Sequence, residues 1–203
     1  MRYLVISLFF CCISCTSYIK KNNFKKVSET TVSAHNPYFS DLTKDYVYKA
    51  NIKVYDNNFS GIFIVKKISK SKHRIVFTTE MGAKIFDFTF HNNDFKVNYV
   101  IENLDKKLLL NVLEKDFRML VHEQQSVINE YVKDATTVLE TKIEGQTSFY
   151  EFTPKGKLTR IVRASKRKRK VDIIFSTISM DTAKNIQILH HNIKLNINLK
   201  AIN

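Results

Sequence analysis

Lys84-Ile85-Phe86-Asp87-Phe88-Thr89-Phe90 is the stretch on which the fold turns. Side chains of a strand alternate between its two faces, so Phe86, Phe88 and Phe90 share one side. Three aromatic rings along one face need an apolar layer to cover them. Asp87, between two of the rings, is expected to face outward. His91-Asn92-Asn93-Asp94 follows with turn chemistry, and Phe95, Val97, Tyr99 and Ile101 then repeat the two-residue period. The two segments predict an antiparallel hairpin.

The same alternation extends upstream through 46–55, 61–68 and 74–79, separated by Asp56-Asn57-Asn58 and by Ser69-Lys70-Ser71-Lys72. Strands joined by turns this short make an antiparallel meander. Downstream the period changes at Asn103. Leu108, Leu109, Val112, Leu113, Phe117 and Leu120 recur at helical spacing, with Lys107, Glu114 and Arg118 on the other side. This predicts one amphipathic helix over 105–121 with Asp105 as its N-cap. Residues 122–135 are polar and have no clear period. Strands resume at 137–143, 148–153, 158–164 and 171–178, with Pro154-Lys155-Gly156-Lys157 as a turn. In a last long stretch Ile193, Leu195, Ile197 and Leu199 alternate with polar residues, as in a strand buried on one face. The fold class is α+β, mainly antiparallel β: a curved sheet with a covering helix.

Composition narrows the chemistry. Only four glycines and two prolines occur, and no glycine-rich phosphate loop is present. The six histidines include no pair spaced one helical turn apart with metal-binding context, and adjacent His190 and His191 would point to opposite faces of a strand. No nucleophile elbow begins a serine triad. Glu144, Glu151 and Asp172 lie in strand-like segments, but no spacing pairs two carboxylates. Neither an enzyme, a metal site nor a cofactor is expected. The aromatic supply is large, with 15 Phe and 9 Tyr. Phe63, Phe77, Phe86, Phe88, Phe95, Tyr99, Leu109, Leu113 and Phe117 either fill a core or line an apolar cavity between sheet and helix. The sequence does not separate the two.

The N-terminus carries a different message. Met1-Arg2 opens an apolar run from Tyr3 to Ile13, a length that suits a secretory signal. It falls short of the roughly 20 residues that cross a bilayer. Ser14 precedes Cys15, which resembles the lipobox of bacterial lipoproteins, with cleavage between Ser14 and Cys15 and lipidation of Cys15. The position three residues before Cys15 holds Cys12, where a lipobox usually has leucine. All three cysteines lie at or before position 15, so cleavage would leave a single thiol, the one acylated. An exported chain would then carry no stray thiol, and two or three acyl chains would anchor it stably. The alternative is an ordinary signal peptide with Cys15 as an early residue of a secreted protein.

The formal net charge is +14. Behind a signal peptide the expected partners of such a charge are anionic lipid headgroups or acidic polymers rather than nucleic acid. Lys166, Arg167, Lys168, Arg169 and Lys170 form the sharpest basic run, read either as a contact with anionic headgroups or as a solvated hairpin tip. No aromatic residue interleaves the run for base stacking.

The order of signal, cysteine, basic segment, meander, amphipathic helix and further strands resembles the LolA/LolB superfamily of lipoprotein carriers and outer-membrane receptors. Gly61-Ile62-Phe63-Ile64-Val65-Lys66-Lys67 and Glu80-Met81-Gly82-Ala83-Lys84-Ile85-Phe86-Asp87-Phe88 also resemble lipoproteins of unassigned role from Bacteroidetes bacteria. The resemblance implies an unclosed antiparallel half-barrel whose inner surface binds acyl chains. It implies three parts: a lipoprotein signal over 1–14, a lipidated tether over 15–35, with a short helix near 36–41 where the tether ends, and one half-barrel domain over 36–203. Thr16-Ser17-Tyr18-Ile19 holds no aspartate after the cysteine, which suits an outer-membrane destination facing the periplasm. The expected function is a membrane-anchored binder of an acylated or other hydrophobic ligand. The alternative is an envelope-assembly lipoprotein that packs against a protein partner and has no ligand cavity.

Overall fold

The computed structural model describes residues 18–28, 33–143, 145–165 and 168–202. Its strands are β1 (Lys25–Ser28), β2 (Ser33–His35), β3 (Asp45–Val54), β4 (Asn57–Ser69), β5 (Lys72–Thr78), β6 (Lys84–His91), β7 (Asp94–Val100), β8 (Gln124–Lys133), β9 (Thr136–Ile143), β10 (Gln146–Phe152), β11 (Leu158–Ala164), β12 (Arg169–Ser179), β13 (Thr182–His190) and β14 (Leu195–Ala201). The helices are α1 (Tyr18–Lys21) and α2 (Lys107–Val121), with a 3-10 turn at Glu102–Leu104 before α2.

The strands form one antiparallel sheet in the order β1-β8-β9-β10-β11-β12-β13-β14-β3-β4-β5-β6-β7, with β2 also on β8. Two meanders therefore meet where β14 pairs with β3, Leu195 opposite Val54 and Ala201 opposite Tyr48. Among the described residues the end strands do not pair with each other, so the sheet stays open. From β3 onward, the connection that is not a short hairpin runs from β7 to β8, and α2 lies in it. A curved open sheet with a helix across its inner face is the predicted architecture.

The period-two pattern explains the burial. Along β3 the side chains of Tyr46, Tyr48, Ala50, Ile52 and Val54 are buried in strict alternation. The same inner face collects Phe63, Val65, Ile75, Phe77, Phe86 and Phe88, on which α2 sets Leu109, Leu113, Phe117 and Leu120. A second, smaller cluster lies on the outer face, where Tyr18 packs with Tyr131, Val138, Phe149, Val162 and Ala164.

Several local expectations change. The stretch read as a tether is built into the fold: β1 and β2 pair with β8, and Tyr18 is only 4 % exposed. Its aromatic residues find an outer-face hollow, which periodicity along a short segment does not reveal. No helix forms near 36–41. Instead Asn36, Tyr38 and Phe39 enter the core. The Asn36 side chain donates to the Leu120 carbonyl at 2.8 Å and accepts from the Tyr38 amide at 3.1 Å. The Tyr38 hydroxyl donates to the Leu158 carbonyl at 2.5 Å. Helix α2 starts at Lys107 behind Lys106, with no side-chain cap, so Asp105 does not serve as N-cap. The polar stretch 122–135 is mostly β8, an amphipathic strand whose outer edge is covered by β1 and β2. The last long stretch divides into β13 and β14.

Candidate functional site

Helix α2 is fixed to the sheet by rings and by charges. Phe117 stands 5.4 Å from Phe63, 5.8 Å from Phe86 and 6.3 Å from Phe88, centroid to centroid. Phe86 and Phe88 stack at 4.6 Å, which is the geometry offset aromatic pairs prefer. One residue before Phe117, the buried Asp116 accepts from Arg163 of β11 at 3.1 Å and from His190 of β13 at 2.7 Å. One residue after it, Arg118 donates to the carbonyls of Asn92 and Asn93 at 2.8 and 2.9 Å. The helix is thus tied to both halves of the sheet.

Of the nine residues expected to face a cavity, Phe63, Phe77, Phe86, Phe88, Leu109, Leu113 and Phe117 are buried in the main core. They interlock with each other and with the 36–39 segment, so the space beneath α2 is occupied by side chains. Phe95 packs at the margin of the core, 5.3 Å from Phe88. Tyr99 lies on the other face, 46 % exposed, because the register shifts between Asp87 and Phe88 and reverses the alternation of β7. There Lys84 sits over its ring at 5.8 Å.

One open volume among the described residues lies at the rim. A cleft of about 650 Å³ separates the N-terminal half of α2 from the strand ends of β9, β10, β11 and β13. Leu108 and Val112 from α2 and Ala164 from β11 give it apolar wall. Lys115, Lys142, Arg163 and Lys170 give it positive charge, and the charged side chains of its lining are all basic. Leu108 is 70 % exposed, so its side chain is accessible from the cleft. A site with apolar wall and cationic edge can take an amphiphile whose acidic head meets the lysines and whose chain follows Leu108 and Val112. Among the described residues of the basic run, Lys170 reaches this cleft. Lys168 is exposed at the β11–β12 turn, and Arg169 is drawn to Asp172 at 2.7 Å. Cys15, Ser14, Lys166, Arg167 and Glu144 lie outside the described residues.

Three charge cages were not visible as sequence motifs. Asp116 is the first. Asp87 is the second: it faces outward as expected, yet it is 1 % exposed. Arg74 grips it at 2.9 and 2.6 Å, with Lys84 and Asn98 each at 3.0 Å. Arg74 above all holds its carboxyl well below the usual carboxylate range, against the opposing effect of burial. Asp172 is the third, bonded to Arg160 at 2.8 Å and to His191 at 2.8 Å. Arg160 also comes within 4.0 Å of Glu151, whose pKa burial pushes up. Burial, with the charge of Glu151 beside it, raises Tyr18 to about 12. His190 and His191 do point to opposite faces, each serving a different aspartate. The signal that could have located the cages is a lone carboxylate inside an apolar strand or stripe, since a buried charge needs partners. Among the described residues no histidine, cysteine and carboxylate cluster is arranged to hold a metal ion, and no helix is long and apolar enough to cross a membrane.

No protein-family model matches the chain, and no curated protein matches it in sequence. Solved structures do match in shape. A LolA superfamily protein from Nitrosomonas europaea aligns over 83 % of this chain and 88 % of its own, with a TM-score of 0.52 and 7 % identity. A DUF1329 family protein from Desulfovibrio piger aligns over 79 % of this chain and 84 % of its own, with a TM-score of 0.45 and 9 % identity. An open antiparallel sheet, one crossing helix and the first of these likenesses give the chain a LolA-like fold.

Proposed function

We propose that this chain is a lipid-anchored envelope protein, attached through Cys15 to the outer membrane and facing the periplasm, that binds an anionic amphiphile at the α2 rim. The ligand class is an acyl chain joined to an acidic or phosphorylated head. The observation that carries this reading is the pairing of Leu108 and Val112 with Lys115, Lys142 and Lys170 in a single cleft. Entry of a chain deeper into the half-barrel requires α2 to move off Phe63, Phe86 and Phe88. Binding and release need no covalent step, and no residue is assigned a catalytic role.

Native mass spectrometry of the mature chain, purified without detergent and then incubated with phosphatidylglycerol, tests this reading. Bound lipid is expected, with loss of most of it in Val112→Asp and in a Lys115→Glu/Lys142→Glu pair. Wild type that binds neither phosphatidylglycerol nor a free fatty acid sinks the reading. It would favour the second one, an assembly lipoprotein that packs against a protein partner, which the filled interior beneath α2 supports.

A further inference from the structure

We infer that the outer face of the sheet, where β14 and β3 join the two meanders, holds a site for an extended glycan that carries carboxylates. The site is separate from the α2 cleft and does not depend on Cys15. A furrow of about 470 Å³ crosses β12, β13, β14, β3 and β4 there. Its floor is a single row across the ladder. Ser60 stands opposite Asn51, Asn51 opposite Asn198, Asn198 opposite Gln187, and Gln187 opposite Ile174. Their chain neighbours Ala50, Ile52, Ile197, Leu199, Ile186 and Ile188 are buried in the main core. The two-residue period of each strand therefore sets the row on the side of the sheet away from α2. Asparagine is depleted in strands, because its side chain competes for backbone hydrogen bonds. Strand propensity thus gives no reason for Asn51 and Asn198 to face each other in the middle of the sheet.

The row is arranged for hydrogen bonding. The Gln187 side chain donates to Asn198 Oδ1 at 2.9 Å, and the Asn51 side chain donates to Ser60 Oγ at 3.0 Å. An amide nitrogen carries two hydrogens and an amide oxygen two lone pairs, so these contacts orient the amides and leave donors and acceptors over. A donor beside an acceptor is what adjacent hydroxyls of a sugar require. Neighbouring strands lie about 4.8 Å apart, so the three steps from Ser60 to Gln187 present such groups over about 14 Å. That length suits several sugar rings lying across the strands. Charge sets the class of glycan. In the next row Lys200 stands opposite Lys49, and both are exposed. They are the charged residues of the furrow's lining, which holds no carboxylate. Lys49 also meets Glu80 at 3.0 Å, so Lys200 is the cation assigned to the ligand's carboxylate. Ile174 is the one apolar side chain of the row, too little for the apolar centre of a protein interface. The lining has no aromatic ring for stacking, so affinity rests on the amides and on Lys200.

Side-chain NH2 signals of asparagine and glutamine report on this row directly. The test is therefore an NMR titration of the isotope-labelled chain from Cys15 onward, carrying Cys15→Ser so that no lipid is attached. Tetragalacturonate is the probe. Maltotetraose is its uncharged counterpart, and tetraglutamate supplies carboxylates without hydroxyls. Saturable shifts of the Asn51, Gln187 and Asn198 NH2 signals are expected with tetragalacturonate, weaker binding with maltotetraose, and no shift of these signals with tetraglutamate. The pair Asn51→Ala/Asn198→Ala is expected to weaken tetragalacturonate binding by roughly tenfold or more. Lys200→Gln is expected to bring the charged and neutral tetrasaccharides to similar affinity. An unchanged urea midpoint verifies that each variant is folded, and Gln187→Ala alone replaces the asparagine pair if the pair lowers that midpoint. The site is overturned by the absence of shifts with tetragalacturonate, by shifts confined to the α2 cleft, or by equal shifts with tetraglutamate. Equal affinity of the wild type for maltotetraose overturns the acidic class, and full affinity in the folded amide variants overturns the row.

Discussion

Asp116 of α2 and His190 of β13 meet at 2.7 Å inside the protein, both side chains at most 1 % exposed. The carboxylate only accepts, so the imidazole Nε2 must carry the proton that joins them. Arg163 completes the site at 3.1 Å. This arrangement connects the helix to the half of the sheet that Phe117 does not reach. Asp116→Ala leaves a guanidinium and an imidazole buried without their acceptor, and a broken buried pair of this kind costs about 3 kcal/mol or more. Urea unfolding is the measurement. A loss below about 1 kcal/mol would mean that water replaces the carboxylate readily.

Phe117→Ala is expected to destabilise by about 3 kcal/mol or more, because a ring in contact with Phe63, Phe86 and Phe88 leaves a cavity that their stacked arrangement cannot close. The variant is also expected to take up an apolar fluorescent dye that wild type excludes, since α2 loses its central anchor. Dye binding measured below the unfolding transition separates an opened interior from a simply unfolded chain.

Gly61 sits in β4, where a Cβ would stand 1.9 Å from the Thr78 carbonyl oxygen of β5. The obstacle is backbone, so it cannot swing aside as a side chain tip would. Gly61→Ala is expected to cost about 2 kcal/mol or more through separation of the two strands. Faster amide exchange in 72–78 than in wild type would report it. Gly82→Ala has open space around its Cβ, but its φ of +86° disfavours a side chain, so a smaller loss of about 1 kcal/mol is expected there.

Much of this fold is written in periodicity. Strands with one apolar face, such as β3 and β6, and the stripe of α2 state their structure residue by residue, because burial on one side imposes a period. What the sequence hides depends on contacts between distant segments. Tyr18 and Phe24 look like stray aromatics in a basic stretch until β8 to β11 supply the outer-face hollow they fill. Asn36 and Tyr38 read as part of a short helix, yet their partners are Leu120, Leu158 and Phe175, more than eighty residues later. Tyr99 follows the alternation of Phe95 and Val97 in sequence, and a single register shift turns it outward. The candidate cleft was legible only in part. Lys170 was named from its charge run, while Leu108, Val112, Lys115 and Lys142 come together only when α2 crosses the sheet. Of the rings proposed for a cavity, Phe63, Phe77, Phe86, Phe88 and Phe117 belong to the main core.

Acid should unfold this protein in two separable steps. Burial lowers the pKa of His73, against the opposing effects of the Phe39 carbonyl, to which its Nε2–H donates at 3.1 Å, and of nearby Glu123. A histidine buried neutral gives its full contribution above its unfolded pKa of about 6.5, and stability falls as the pH drops below that. Asp87 acts lower on the scale. Its folded pKa is depressed, chiefly by Arg74, so its contribution is complete above the ordinary carboxylate value of about 4 and is lost as the pH falls further. Urea midpoints measured from neutral pH downward should therefore decline gently near pH 6, at about the first value, and steeply near the second. His73→Gln is expected to remove the upper decline and keep the lower one. Asp87→Asn is expected to lower the neutral-pH midpoint, because Arg74 and Lys84 then face each other without their shared carboxylate, and to flatten the steep acid limb. An upper decline that persists unchanged in His73→Gln assigns that step to another group and removes His73 from the account.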